Sequence, residues 1–176
     1  MDGFTASTLS GLIGALCGSS IAYFLTRKSQ KVIFTFDLHK EFNTVEMGRH
    51  RYKAEELIKK HPTLNFDQLG EKDTEKMDSL YVILRFYQRL GLAVKNAQVH
   101  EELVREMFST NFYYWYYGSF EPGFIKYNKN GSEHLDYLLD WFYRNIGLKK
   151  HEDLKSQSEK WLIDWKSKSA SSNQQP

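Results

Sequence analysis

The feature that most constrains this chain is a charge-free stretch close to its N-terminus. No charged residue occurs from Gly3 to Thr26, whereas Asp2 precedes the stretch and Arg27 and Lys28 follow it. A helix of that length spans roughly 36 Å, which is enough to cross a hydrocarbon core of about 30 Å. We therefore predict a single transmembrane helix, with residues Phe4 to Leu25 in the bilayer.

The stretch is also compatible with a signal peptide or a buried helix, because Ser, Thr and Gly dilute its apolar residues. Each Leu, Ile or Phe favours insertion by only about 0.3–0.6 kcal/mol, so the hydrophobic margin is thin. A cleaved signal peptide carries its positive charge before the apolar region, whereas here the charge follows it. The second alternative is a core helix of a soluble protein.

Basic residues predict the orientation of this helix. Arg27, Lys28 and Lys31 lie directly after the stretch, and no Lys or Arg precedes it. Positively charged flanks stay on the cytoplasmic side of a membrane. We expect the N-terminus outside and the rest of the chain in the cytoplasm, at the inner (plasma) membrane, with the lipid bilayer as a partner.

Small residues recur at every fourth position of the same stretch, in two adjacent rows. The first row holds Ser7, Gly11, Ala15 and Ser19, and the second holds Ser10, Gly14, Gly18 and Ala22. Small side chains let two helix backbones approach closely within a bilayer. The rows predict a homo-oligomer that forms through this helix. The alternative is a weakly apolar anchor that is rich in Gly and Ser by composition alone.

The rest of the chain has the pattern of an all-α protein. Residues 31–42 allow either a strand or a helix that leads out of the membrane. Caps and apolar spacing predict helices over residues 44–60, 73–96, 100–109, 132–146 and 152–165, and residues 63–72 are predicted as a loop. The helix at 73–96 is apolar on most of its circumference, which is typical of a central helix.

These elements divide the chain into four parts. We expect an anchor at residues 1–30, a helical cytoplasmic domain at 31–149, an amphipathic helix at 150–167 and a disordered polar tail at 168–176. The fold class is therefore all-α, with one transmembrane helix followed by a cytoplasmic bundle of four to six helices.

A series of apolar and charged residues resembles a known family. The series comprises Glu41, Phe42, Asn43, Arg49, Arg51 and Ala54, then Leu84, Phe86, Tyr87, Leu90, Gly91, Leu92, Val94 and Lys95, then Val99, Glu102, Leu103, Met107, Phe108, Trp115, Leu135 and Leu138. Over residues 5–145 the chain is similar to a family of small bacterial proteins of undefined function that have an N-terminal membrane anchor. The resemblance implies a small helical domain behind the anchor, and it offers no active-site residues to carry over.

Motifs for catalysis and ligand binding are missing from the sequence. The six histidines lack the spacing of a helical zinc pair, and neither a phosphate-binding glycine loop nor a serine-hydrolase elbow occurs. Cys17 is the single cysteine, which excludes an intramolecular disulfide. A formal net charge of +2 is not typical of nucleic-acid binding. We predict a protein that is not an enzyme, with no metal, no cofactor and no nucleic-acid partner.

One charged cluster is a candidate contact site. Arg49 and Arg51 lie near Glu41 in the sequence, and an arginine side chain can hold a phosphate or a partner's carboxylate through its planar fork. The alternative is an ion pair that orients the first cytoplasmic helix against the long central one.

An aromatic run provides the second candidate. Tyr114 and Trp115 belong to the six consecutive aromatic residues from Phe112 to Tyr117. Tyr and Trp suit half-wet sites, so the run could contact a protein or lie at the membrane interface. The alternative is that Phe112 and Trp115 face the core while some tyrosines are exposed.

Together these features predict a membrane-tethered interaction or effector protein that acts through oligomerisation and an unknown protein partner. One alternative is an effector that perturbs the membrane itself, as in stress or phage-defence systems, which the weakly apolar anchor favours. Another is an enzyme with an unrecognised site around Glu41, Arg49 and Arg51.

Overall fold

The computed structural model describes residues 2–128 and 131–172, with the side chains of residues 18–128 and 131–168. Within these residues the chain is all-α, as the sequence predicts. Its elements are α1 (Asp2–Phe42), α2 (Val45–Lys60), α3 (Phe66–Lys72), α4 (Thr74–Lys95), α5 (Glu101–Trp115), a π-helical segment (Tyr116–Ile125), α6 (Glu133–Ile146) and α7 (Leu148–Ser172).

Local capping signals fix several helix ends where the sequence predicts them. The side chain of Thr44 accepts a hydrogen bond from the Met47 amide at 3.2 Å and begins α2. The side chain of Asp73 accepts from the Lys76 amide at 3.1 Å and begins α4. Gly147 ends α6 with φ of +84°, a left-handed conformation that glycine adopts without steric cost.

Residues 63–72, predicted as a loop, contain α3. The Asn65 side chain accepts from the Gln68 amide at 2.9 Å, and the Asn65 amide donates to the Gln68 side chain at 3.0 Å. This reciprocal pair is a capping box, which satisfies two amides that have no partner within the helix. Phe66 and Leu69 are buried, so the short helix closes one side of the core.

The helix predicted for residues 100–109 is longer than its sequence pattern indicates. α5 continues to Trp115 and passes into the π-helical segment, although Gly118, Pro122 and Gly123 predict a break there. The segment ends with the Lys126 amide bonded to the Glu121 carbonyl, five residues back, at 3.3 Å. The missing amide of Pro122 is tolerated within this wider helix.

The C-terminal helix also exceeds its predicted length. α7 runs for 25 residues, three more than α4, and it includes residues 168–172 of the segment predicted as a disordered tail. Residues 173–176 lie outside the described part of the chain. Trp165 and Ser158 are buried, which attaches α7 to the bundle.

Helix α4 is the centre of the bundle, as its apolar circumference predicts. It packs against α2, α3 and α6, and its Leu80, Ile83, Tyr87 and Leu90 are completely buried. Around Tyr87 the core is aromatic, with ring centroids 4.9 Å apart for Phe42 and Phe86 and 5.4 Å apart for Tyr87 and Phe112. Each such ring removes roughly 150–250 Å² of surface from water, so few residues suffice for a large core.

Candidate functional site

Helix α1 leaves the bundle with apolar side chains exposed. Every described residue from Gly18 to Gln30 is exposed, including Ile21 at 61 %, Phe24 at 67 % and Leu25 at 63 % of their maximum. Residues 31–42 continue the same helix instead of forming a strand, and Leu38 and Phe42 are buried. The apolar N-terminal part and the bundle are therefore joined by one unbroken helix.

Thr35 fixes α1 at the point where it enters the bundle. This side chain is fully buried, and its hydroxyl donates to the Lys31 carbonyl at 2.7 Å. The same oxygen accepts from the backbone amide of His100 at 2.9 Å. His100 is the N-cap residue of α5, so α1 provides an acceptor for the backbone amide that directly precedes the helix.

The basic residues predicted to set orientation lie at this junction. Arg27 and Lys31 line open clefts of about 480 and 590 Å³ beside α1, and Lys28 lines the larger one. The opposite walls come from residues 96–101, the connection from α4 to α5. The three cations thus follow the exposed apolar residues Ile21 to Leu25, and Ile33, Phe34 and Phe36 are also exposed beyond them on the same helix.

The described side chains cover only part of the predicted transmembrane helix, and those of Ser7, Gly11, Gly14 and Ala15 lie outside them. Gly18 and Ala22 are described and exposed, and a Cβ atom added to Gly18 would meet no atom within 4 Å. Among the described residues, no helix is both long enough and apolar enough to cross a membrane.

The charged cluster is organised differently from its sequence order. Glu41 pairs with Arg89 of α4 rather than with its neighbours in sequence, so an ion pair does link α1 to the central helix. Arg51 is half-buried, with its guanidinium carbon 4.5 Å from the centroid of the Phe42 ring. Arg49 is exposed. The structure therefore does not bring Glu41, Arg49 and Arg51 together into one site.

Arg49 belongs instead to the outer face of α2. Val45, Arg49 and Tyr52 follow one another at four- and three-residue spacing, which places them on one side of a helix. Val45 is 74 % exposed and Tyr52 is 70 % exposed. We call these three residues the α2 face.

The aromatic run belongs mainly to the core. Trp115 is only 3 % exposed and stacks on Phe120, with ring centroids 6.4 Å apart. Tyr114 is partly buried, and its hydroxyl donates to Glu55 of α2. Burial is the main cause that raises the pKa of Tyr117 to about 12, which keeps this phenol neutral. The run therefore contributes packing between helices and little accessible surface.

The described residues contain no group of three or more His, Cys, Asp or Glu side chains that could hold a metal ion. Burial raises the pKa of Glu121, and the negative charges of Glu159 and Asp136 act in the same direction against that of Lys155. This carboxyl lies beside phenols that are themselves raised in pKa by burial.

Sequence patterns did not reveal two of these features. The Thr35–His100 contact joins residues 65 positions apart, and a lone threonine in an apolar helix gives no local sign of it. The α2 face could have been recognised from the sequence, because Val45 and Tyr52 flank Arg49 at helical spacing and stand among charged residues.

No family model matches this chain, and no match was found to a curated protein or to a solved structure.

Proposed function

We propose that this chain is a single-pass membrane-tethered protein whose helical domain binds a protein partner at the cytoplasmic surface. The observation that carries the proposal is the exposure of Ile21, Phe24 and Leu25 on a helix that continues without a break into the bundle. Full burial of one such side chain is worth roughly 1.5–3 kcal/mol relative to exposure, and this free energy is not gained while the side chain stays in water. A bilayer around the charge-free stretch removes that cost.

The short distance from Lys28 to Thr35 determines how the domain is held. Seven residues of helix rise by about 10 Å, so the bundle lies directly against the headgroups. With Arg27, Lys28 and Lys31 at the cytoplasmic interface, the connection from α4 to α5 faces the bilayer. The chain then has its N-terminus outside and its domain at the inner face of the plasma membrane.

Insertion is tested by adding one charge inside the stretch and one outside it. Leu12→Arg costs about 2.5–3.5 kcal/mol at the centre of a spanning helix, which is comparable to the whole hydrophobic margin. We expect the unaltered chain to float with membranes and to resist alkaline carbonate extraction, and Leu12→Arg to lose both properties. Ser29→Arg, which adds the same charge at an exposed position beyond the stretch, should remain in the membrane. Extraction of the unaltered chain by carbonate would refute insertion.

Orientation is tested by cysteine accessibility, because Cys17 is the only native thiol. In a Cys17→Ser background, a membrane-impermeant maleimide should label Asp2→Cys in intact spheroplasts. It should label the exposed position of Ser156→Cys only after permeabilisation. The reverse pattern would place the domain outside the cell.

Association through the helix is the next part of the proposal. Gly14→Leu with Gly18→Leu should strengthen insertion and weaken the oligomer, since bulky side chains separate helix backbones. Position 18 has open space around it, so a leucine there does not disturb the bundle itself. Thr5→Leu with Thr8→Leu adds the same apolar side chains away from the two rows and serves as control. If the oligomer in membranes has the same size in both double variants, the segment serves only as a tether.

The α2 face is our assignment for the protein partner. Val45 and Tyr52 offer apolar surface beside the charge of Arg49, a mixture that is typical of contact sites. A photo-cross-linking aromatic residue in place of Tyr52 should give a discrete product in membranes, and one in place of Ser156 on α7 should not. Val45→Asp should abolish the product while preserving the fold, because a carboxylate suits the first turn of a helix. An unchanged product would exclude this face.

A further inference from the structure

A cleft of about 200 Å³ lies at the side of the bundle and takes no residue from α1. Its walls come from the end of α2, the connection to α3, the π-helical segment and α7. The volume equals that of roughly seven water molecules, and a cavity of about 150 Å³ is known to hold benzene. The cleft is therefore sized for a small organic molecule.

The charges around the cleft are of one sign. Lys126 and Lys166 line it, whereas no Asp or Glu does. Neither ammonium is paired with a carboxylate among the described residues, although Lys126 lies 6.0 Å from the ring centroid of Tyr127. His61 also lines the cleft, and burial together with the charges of Lys60 and Lys72 lowers its pKa. This environment favours an anion.

The remaining surface of the cleft is apolar. Ile58, Leu64, Phe66 and Leu69 contribute to it, and Ile58, Phe66 and Leu69 belong to the buried core. Apolar walls with a few polar groups are the usual composition of a small-molecule site. A ligand that combines an anionic group with an apolar body would match both parts.

Ser119 supplies a hydroxyl that has no partner. The residue lines the cleft, is only 4 % exposed, and its oxygen makes no hydrogen bond among the described residues. Of the other buried helical hydroxyls, that of Tyr87 likewise has no partner among the described residues, whereas those of Thr35 and Ser158 are paired. Thr35 donates to the carbonyl four residues back at 2.7 Å, and Ser158 does so at 2.9 Å. An unpaired buried hydroxyl costs free energy, which a ligand atom at that position would recover.

Two glycines shape the backbone on either side of Ser119. A Cβ atom on Gly123 would lie 2.8 Å from the Phe66 ring, and one on Gly118 would lie 3.7 Å from Trp165. The glycine at 123 therefore allows the π-helical segment to approach the α3 side of the cleft. The π-helical segment that carries the Ser119 hydroxyl therefore packs against Phe66 of α3 on one side and Trp165 of α7 on the other.

We propose that this cleft binds a small carboxylate carried on an aromatic or branched aliphatic body. Lys126 and Lys166 attract the carboxylate, the apolar residues contact the body, and Ser119 forms a hydrogen bond to the ligand. The site is separate from α1 and from the α2 face, and it makes no use of the membrane.

Benzoate is a suitable probe, and benzyl alcohol is its neutral counterpart of similar size. In an amide NMR titration of the full chain in zwitterionic micelles, benzoate should shift Gly118, Ser119 and Gly123 saturably. Because benzoate has about nine non-hydrogen atoms, we expect it to bind the cleft with a Kd of about 1 mM or tighter. Benzyl alcohol should bind at least about tenfold more weakly, because it lacks the charge. Equal binding of the two probes, or no saturable shift with benzoate, would overturn the proposal.

Three variants separate ligand contacts from effects on folding. Lys166→Gln should weaken benzoate binding by about threefold to tenfold, whereas Lys160→Gln, the same change at an exposed position of α7, should leave it unaltered. Ser119→Ala should weaken binding while the melting temperature stays equal or rises, because it removes an unpaired polar group. A fall in the melting temperature of Ser119→Ala would show that the hydroxyl has a structural partner, and would remove it from the site.

Discussion

The side-chain oxygen of Thr35 accepts the backbone amide of His100 at 2.9 Å, across 65 residues of sequence. The contact joins the helix that leads to the proposed membrane segment with the residue that begins α5. Because the same hydroxyl also donates to the Lys31 carbonyl at 2.7 Å, both roles of the oxygen are used. It follows that α1 is fixed in rotation and in translation where it enters the bundle.

Thr35→Val keeps the shape of the side chain and removes both hydrogen bonds. We expect a loss of about 1–3 kcal/mol in the free energy of unfolding, because the His100 amide is left without an acceptor. The amide of His100 should also exchange hydrogen faster. Thr35→Ser retains the hydroxyl and serves as control: it should lose about 1 kcal/mol for the methyl group and keep the slow exchange. Equal exchange rates in the two variants would contradict the role of the contact.

Local signals account for the part of the fold that the sequence predicts. Thr44, Asp73 and Gly147 are caps that act on neighbouring amides and carbonyls, so their effect is visible within a few residues. The apolar circumference of α4 likewise follows from its own sequence. The capping box of α3, Asn65 with Gln68, was equally local and could have been recognised from the sequence.

The other features that the sequence did not predict depend on residues that are distant along the chain. Trp165 and Phe66 lie beside Gly118 and Gly123 of the π-helical segment, and a sequence pattern contains no information about such distant neighbours. The cleft beside it combines four separate elements. The cationic residues after the charge-free stretch were predictable as a charge pattern, but the α4–α5 connection that faces them was not.

At Gly91 the backbones of α4 and α6 approach each other closely. A Cβ atom there would lie 2.2 Å from the carbonyl oxygen of His134, a backbone atom that cannot turn away. We expect Gly91→Ala to lower the free energy of unfolding by about 3 kcal/mol, at the upper end of overpacking costs. Gly48→Ala, at a helical position where the new Cβ would lie 4.0 Å from the Arg51 guanidinium, should instead raise it by about 0.5–1 kcal/mol. Urea denaturation of both variants measures the difference, and similar values would refute the close approach.

Arg49 and Arg51 are two residues apart and should respond differently to substitution. Burial raises the pKa of the Tyr87 phenol well above its ordinary value, and the Arg51 charge opposes that rise, so Arg51 lies near the core. We expect Arg51→Ala to cost about 1 kcal/mol of stability through its lost contact with Phe42. Arg49→Ala should stay within about 0.5 kcal/mol of the unaltered chain. Chemical denaturation measures both, and equal costs would contradict the different environments of these side chains.

Asp73 should make the stability of the fold depend on pH in the acid range. The Asp73 carboxylate accepts a hydrogen bond from the Lys76 amide, and this bond, together with the Lys76 charge, lowers the pKa of the carboxyl from 3.8. Because the folded pKa lies below the unfolded one, the contribution is complete above pH 3.8 and is lost as the pH falls through the folded pKa. Asp73→Asn keeps an acceptor for the Lys76 amide but cannot titrate, so its urea midpoint should fall less steeply with acidification. Asp78→Asn, at an exposed position of the same helix, controls for the loss of one charge. If Asp73→Asn and the unaltered chain lose stability in parallel below pH 3.8, the carboxylate contributes no more than a neutral cap.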